Sequence, residues 1–226
     1  DPPGNAAFTT ASGILVYRAR QHRPLAELAW VDRQGQALDT VGAPPGSFSI
    51  DGGSASAAAG SGASGGPNLS GIWQALNTAN WTGGTFLYVP KDVRVTVPIR
   101  SFRWIGGAGS ALFGRTLIVA EPNSEVAVMD EAGSDDFERQ TLSNAGAEIF
   151  AAEGAKVTYV SLQRWGKGVV HLTTDRLVAG RDARITTLYT TLGSDVTRAD
   201  VRCRLQAPGA HVDMLGLYLG EGKQHF

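Results

Sequence analysis

From about Asn77 onward, aliphatic, β-branched and aromatic residues come in short runs, with a glycine-bearing turn every 8 to 15 residues. Short alternating runs are the mark of half-buried strands, and no apolar spacing near 3.6 persists long enough to predict a long helix. One pattern recurs after turns, a small residue two places ahead of an aliphatic one: Ser124 before Val126, Ala155 before Val157, Ala183 before Ile185 and Ala210 before Val212. The small residues are 31, 28 and 27 positions apart. Further copies at Gly146-Ala147-Glu148-Ile149 and Gly193-Ser194-Asp195-Val196 predict more than one strand and turn per period. A repeat of this length suits a coil of a parallel β-solenoid, which stacks like residues on like. A β-sandwich also has short strands and even turns but gives no reason for a repeated small residue ahead of an aliphatic one.

Before this region the pattern changes twice. Gly13-Ile14-Leu15-Val16-Tyr17, Glu27-Leu28-Ala29-Trp30-Val31-Asp32 and residues 37–41 predict three short strands with a turn at Arg33-Gln34-Gly35-Gln36. They read as a short β-meander, with a disordered leader as the alternative. Residues 51–67 are almost all Gly, Ser and Ala, which supply no side chain to anchor a core, so 51–69 is expected to be a flexible linker. The predicted organisation is a leader at 1–50, the linker, and an all-β solenoid core at 70–226.

Composition narrows the function. Twenty basic residues against 21 acidic ones leave no basic footprint for nucleic acid. The single cysteine, Cys203, excludes a disulfide framework and any metal site needing several thiolates from this chain alone. Apolar stretches such as Leu117 to Ala120 are far shorter than the roughly 20 residues of a membrane span. A soluble, cytoplasmic protein is the expectation. No Gly-x-Ser-x-Gly, Walker-type loop, His-Glu-x-x-His or Cys-x-x-Cys occurs, so hydrolase, nucleotide and zinc chemistry have no motif to start from. The acidic stretch Asp130-Glu131 with Ser134-Asp135-Asp136 lacks the ligand spacing of a calcium loop and is expected to be a solvated turn.

Four segments carry a family likeness. They are Ala75 to Lys91, with Asn80-Trp81-Thr82-Gly83-Gly84 at its centre; Arg115-Thr116-Leu117-Ile118-Val119-Ala120-Glu121; Ser161-Leu162-Gln163-Arg164-Trp165-Gly166; and Gly222-Lys223-Gln224-His225. In this order they resemble the SufB and SufD scaffold proteins of the SUF iron-sulfur cluster assembly machinery, over residues 73–226. Residues 13–45 separately resemble one blade of a TolB-like propeller. The SUF resemblance implies a right-handed parallel β-helix that is not an enzyme. It further implies pairing with a SufB-type subunit and docking of SufC, an ABC-type ATPase, through a C-terminal helical region expected outside these 226 residues. A transient iron-sulfur cluster, held by this subunit or by the partner, is the implied cofactor. SufB-type proteins carry a cysteine in the segment matching Asp130-Glu131-Ala132-Gly133; Ala132 stands there here and points to the SufD-like branch.

The resemblance also implies a polar path inside the helix, to which Arg103, Gln163 and Trp165 correspond. Ile105 replaces an expected asparagine, and Asp175 an expected lysine. The plainer reading makes Gln163 a ladder side chain bonded to a neighbouring coil and Trp165 a packing residue at a corner. Cys203 and His225 are the weak metal-ligand candidates. Alternation places Cys203 on one face with Val201 and Leu205, so a buried thiol is expected. His171 is expected to be a satisfied histidine. Two other classes remain open: a carbohydrate-active β-helix enzyme, and a purely structural or binding solenoid.

Overall fold

In the computed structural model the described residues are 69–226 except residue 82, together with four short strands nearer the N-terminus. Those strands are β1 (Ala7–Thr9), β2 (Leu15–Tyr17), β3 (Ala29–Val31) and β4 (Ala37–Thr40). Of the linker expected at 51–69, residues 51–68 lie outside the described residues, as does most of the propeller-like stretch, and Leu69 already opens a helix. A helix α1 (Leu69–Asn80) leads into ten strands. They are β5 (Gly83–Val89), β6 (Ile99–Ile105), β7 (Ala111–Ala120), β8 (Glu125–Ser134), β9 (Thr141–Ala151), β10 (Lys156–Arg164), β11 (Val169–Ala179), β12 (Arg184–Thr191), β13 (Val196–Leu205) and β14 (His211–Tyr218).

Odd and even strands separate into two sheets. One runs β5-β7-β9-β11-β13, the other β6-β8-β10-β12-β14, and every pairing within these runs is parallel. Each odd-even pair is one coil, so the chain winds a parallel β-solenoid of five coils. At the start of the first sheet β2 pairs antiparallel with β5 and with β1, whereas β3 and β4 form a sheet of their own. The three segments expected in one meander are therefore divided between two sheets.

The small-x-aliphatic repeat marks one corner in four of the five coils; at the same corner of the first coil Val93 stands in the small residue's place, its amide bonded to the Pro90 carbonyl after Asp92 at φ 60°. Backbone amides of Ser124, Ala155, Ala183 and Ala210 bond the carbonyls of Glu121, Ala152, Gly180 and Ala207 three residues back. The residue just before each small one has positive φ: Asn123 at 59°, Gly154 at 69°, Asp182 at 53° and Gly209 at 75°. A positive φ at the third position of a turn suits glycine and is tolerated by Asn and Asp, and Pro122 and Pro208 stand where such turns favour proline. The small residue points into the corner, where Ser124, Ala155 and Ala183 are fully buried. The further copies of the repeat are not corners of this kind. Ala147 lies inside β9, paired with Thr116 and Asp175, and Ser194 belongs to the opposite corner, between β12 and β13.

Helix α1 is a departure from the all-strand expectation for 70–226. It packs on the outer side of the odd-strand sheet, against β7, β9 and β11. Its contact is polar: the Asn77 side-chain amide donates to the carbonyls of Gly114 at 3.1 Å and Asn144 at 2.9 Å, Asn144 donates back to the Trp73 carbonyl, and Arg176 donates to Gln74. Ile72 and Leu76 are meanwhile exposed. A helix held by amides rather than by an apolar stripe gives little periodic signal. No helix among the described residues is long and apolar enough to cross a membrane.

A polar chamber inside the solenoid

Inward-facing positions divide the lumen into two halves. Beside the small-residue corner the rows are apolar: Leu87, Ile118, Ile149 and Leu177 line up on the odd strands, facing Val126, Val157 and Ile185 on the even ones. Toward the other corner the same strands turn polar. Arg103, Ala132, Gln163 and Thr191 are direct neighbours on β6, β8, β10 and β12, and Asp130 and Ser161 form the adjacent inward row. From the odd strands come Thr116 and Asp175 in one row and Ser143 and His171 in another. These side chains and Trp165 surround an interior cavity of about 20 Å³, enough for one water molecule.

Asp130 is the centre of the hydrogen bonding. One carboxylate oxygen accepts from the Arg103 guanidinium at 2.5 Å, the Thr116 hydroxyl at 2.7 Å and the Tyr159 hydroxyl at 3.1 Å, while its other oxygen is buried without a protein partner. Burial opposes the charge on Arg103 and is the largest single influence on it, but the attraction of Asp130, Tyr159 and Asp175 together with the Asp130 hydrogen bond outweighs it and raises the guanidinium pKa. Burial pushes the Tyr159 phenol well above its usual value. Asp175 accepts from the Thr173 hydroxyl at 2.8 Å and the Ala147 amide at 2.9 Å, yet burial dominates and raises its carboxyl to about 6. His171 moves the other way, to about 3, through burial first and the Arg103 charge second, so the ring is neutral. Its Nδ1 bonds Ser143 at 2.9 Å, whereas its Nε2 and the Trp165 Nε1 are buried without partners. The two rings tilt together with centroids 5.5 Å apart.

The chamber thus unites the three residues expected on an interior path, Arg103, Gln163 and Trp165, and adds Asp130, Tyr159, His171 and Asp175. Gln163 reaches its neighbours only loosely, Ser161 and Thr191 each at 3.5 Å. His171 is half satisfied rather than fully so. Asp130 and Glu131 are no solvated turn: both lie in β8, each 2 % exposed, while Asp135 and Asp136 do form an exposed loop. Alternation from Val126 and Val128 already puts Asp130 inside, and that signal was available in the sequence. Glu131 faces outward between Arg100 and Arg164; the Arg100 hydrogen bond outweighs burial and, with Arg164, holds its carboxyl below the usual range.

The weak ligand candidates stay apart from the chamber. Cys203 stands in the row of Ile149 and Leu177, as alternation requires, but it is exposed, because β13 is the outermost strand of its sheet among the described residues. His225 is exposed too, its backbone bonded to Asp195 and Thr197 beside β13. No group of three or more His, Cys, Asp or Glu among the described residues could hold a metal ion.

The coils containing this chamber match a known family. The model of the SufBD core domain of the SUF iron-sulfur cluster assembly system fits residues 102–226, more than half of the chain. The chain belongs to the SufBD family. Among its relatives, the iron-sulfur cluster assembly protein SufB of Bacillus subtilis is 31% identical over 151 residues, covering 67% of this chain and 32% of the relative. SufBD family proteins of Staphylococcus saprophyticus and Staphylococcus epidermidis are 30% and 31% identical, over 67% and 66% of this chain and 33% and 32% of their own lengths. The chain spans about a third of the SufBD relatives it matches.

Proposed function

We propose that this chain is the core of a non-enzymatic scaffold subunit in iron-sulfur cluster assembly, SufD-like rather than SufB-like. In this reading it pairs with a homologous SufB-type subunit, works with a SufC-type ABC ATPase and acts in the cytoplasm. The carrying observation is the match to the SufBD core domain across the coils that build the chamber. The SufD-like branch is supported by Ala132, which lies between Arg103 and Gln163 on the chamber wall, where a cysteine would present its thiol to the interior. Iron-sulfur clusters are generally held by cysteine thiolates, and the one thiol of this chain, Cys203, lies in the other half of the lumen. The cluster is therefore cargo whose thiolate ligands come from a partner, and Arg103, Gln163 and Trp165 act as polar contacts within the chamber. A cavity of about 20 Å³ is far too small for a sugar ring, which removes this site from the carbohydrate reading.

Co-elution of this chain with a SufB-type subunit on size exclusion tests the assignment. A stoichiometric complex is expected. Failure to associate, with both partners shown to be folded, would leave a solenoid that works alone.

A further inference from the structure

The outer side of the even-strand sheet carries a second feature, far from the chamber rows. Between β5 and β6 the chain first pairs with the start of β8, through the Val95 amide to the Glu125 carbonyl at 2.8 Å and the Glu125 amide to the Val93 carbonyl at 2.9 Å. It leaves the sheet at Thr96, Val97 and Pro98 and rejoins it at Ile99, opposite Val128. The detour walls a surface groove of about 410 Å³ whose floor is the start of β8, β10 and β12, a volume within the usual range of binding sites.

The groove is cationic. Arg94, Lys156 and Arg184 line it with Glu125 as the one carboxylate, and Thr158 and Thr186 supply hydroxyls in the next row. Glu125 is engaged by Arg94 at 3.2 Å, and Asp213, beside the groove, lies 3.7 Å from Arg184 and 3.0 Å from His211. Lys156 makes no ion pair among the described residues, and its neighbours across the sheet are Glu125 and Arg184. From the segment carrying Arg94 to β12 is three strand spacings, about 14 Å. A lone phosphate cannot bridge that distance. An extended peptide with a carboxylate at every second residue places three of them over about the same length. The chain as a whole is close to neutral, which argues against a nucleic-acid strand as occupant.

We propose that this groove binds an extended, carboxylate-rich segment of a partner protein, with Lys156 and Arg184 as the main anchors. The proposal does not depend on which partners the chain has. A fluorescein-labelled peptide of about eight residues, alternating Glu and Ser, long enough to cross the groove, is titrated onto the intact chain at low salt and followed by anisotropy. Saturable binding is expected, weakened about tenfold or more by Lys156→Glu with Arg184→Glu. Lys156→Gln with Arg184→Gln, which keeps size and removes charge, should weaken it less, and Lys223→Glu, outside the groove, should leave it unchanged. Circular dichroism establishes that each variant is folded. The proposal is overturned if the peptide does not bind, if both paired variants bind as the wild type does, or if inorganic phosphate or a short single-stranded oligonucleotide binds as tightly.

Discussion

The two halves of the solenoid lumen are built from the same strands and solve burial in opposite ways. On the small-residue side, successive corners share one turn geometry, and Leu87, Ile118, Ile149 and Leu177 stack coil upon coil. Each layer resembles the next, so the half gains its stability from repeated apolar burial. On the other side an ion pair, a carboxyl raised to about 6 and a neutral histidine are enclosed, and Asp130 Oδ1, Trp165 Nε1 and His171 Nε2 are left without partners. Such groups cost stability where apolar residues would not. A fold that can fill one half with valine and leucine has no structural need for charge in the other, and perturbed buried groups of this sort cluster at functional sites.

The largest expected effect sharpens that contrast at its centre. Asp130→Ala strands Arg103 and removes the acceptor of Thr116 and Tyr159, and should cost about 4 kcal/mol in urea unfolding. Arg103→Met with Asp130→Leu and Tyr159→Phe, which replaces the network by apolar groups, should be near neutral or stabilising. In the apolar half, Ile149→Ala opens a cavity between Ile118 and Leu177 and should cost about 3 kcal/mol.

The pH dependence separates two groups of the polar half. Asp175 is raised from 3.8 to about 6, so its contribution to stability is present below about pH 4 and is lost as pH rises through 6, by about 3 kcal/mol in all. His171 is lowered from 6.5 to about 3, so its penalty grows as pH falls below 6.5. Between about pH 4 and 6 the two oppose each other. In urea unfolding, Asp175→Asn should therefore lose more stability on acidification than the wild type, and His171→Gln less; parallel curves for all three would contradict these shifts. The smallest effect is expected at Gln163→Leu, about 1 kcal/mol or less, since both of its side-chain bonds are 3.5 Å long.

How far the sequence revealed this depends on the half concerned. Ser124, Ala155, Ala183 and Ala210 announce the solenoid because a corner admits one small residue, whatever else the coil contains. The opposite corner has no comparable repeat, and Gly146-Ala147 imitated one there although Ala147 sits in the middle of a strand. Arg103, Gln163 and Trp165 were found by family likeness. Asp130 was hidden because two adjacent acids look like a turn, although in a strand they face opposite sides, one toward Arg103 and the other toward Arg100 and Arg164. The exposure of Cys203 was beyond alternation, which fixes the side a residue faces but not whether another strand covers it.

The most direct test of a functional chamber uses the triple variant Arg103→Met, Asp130→Leu, Tyr159→Phe in cells lacking their own SufBD subunit, where the wild-type protein is expected to restore iron-sulfur enzyme activity. The variant is predicted to fold with wild-type stability and to fail in restoring iron-sulfur enzyme activity. Full restoration by a stably folded variant would contradict the account and make the polar half a matter of structure alone.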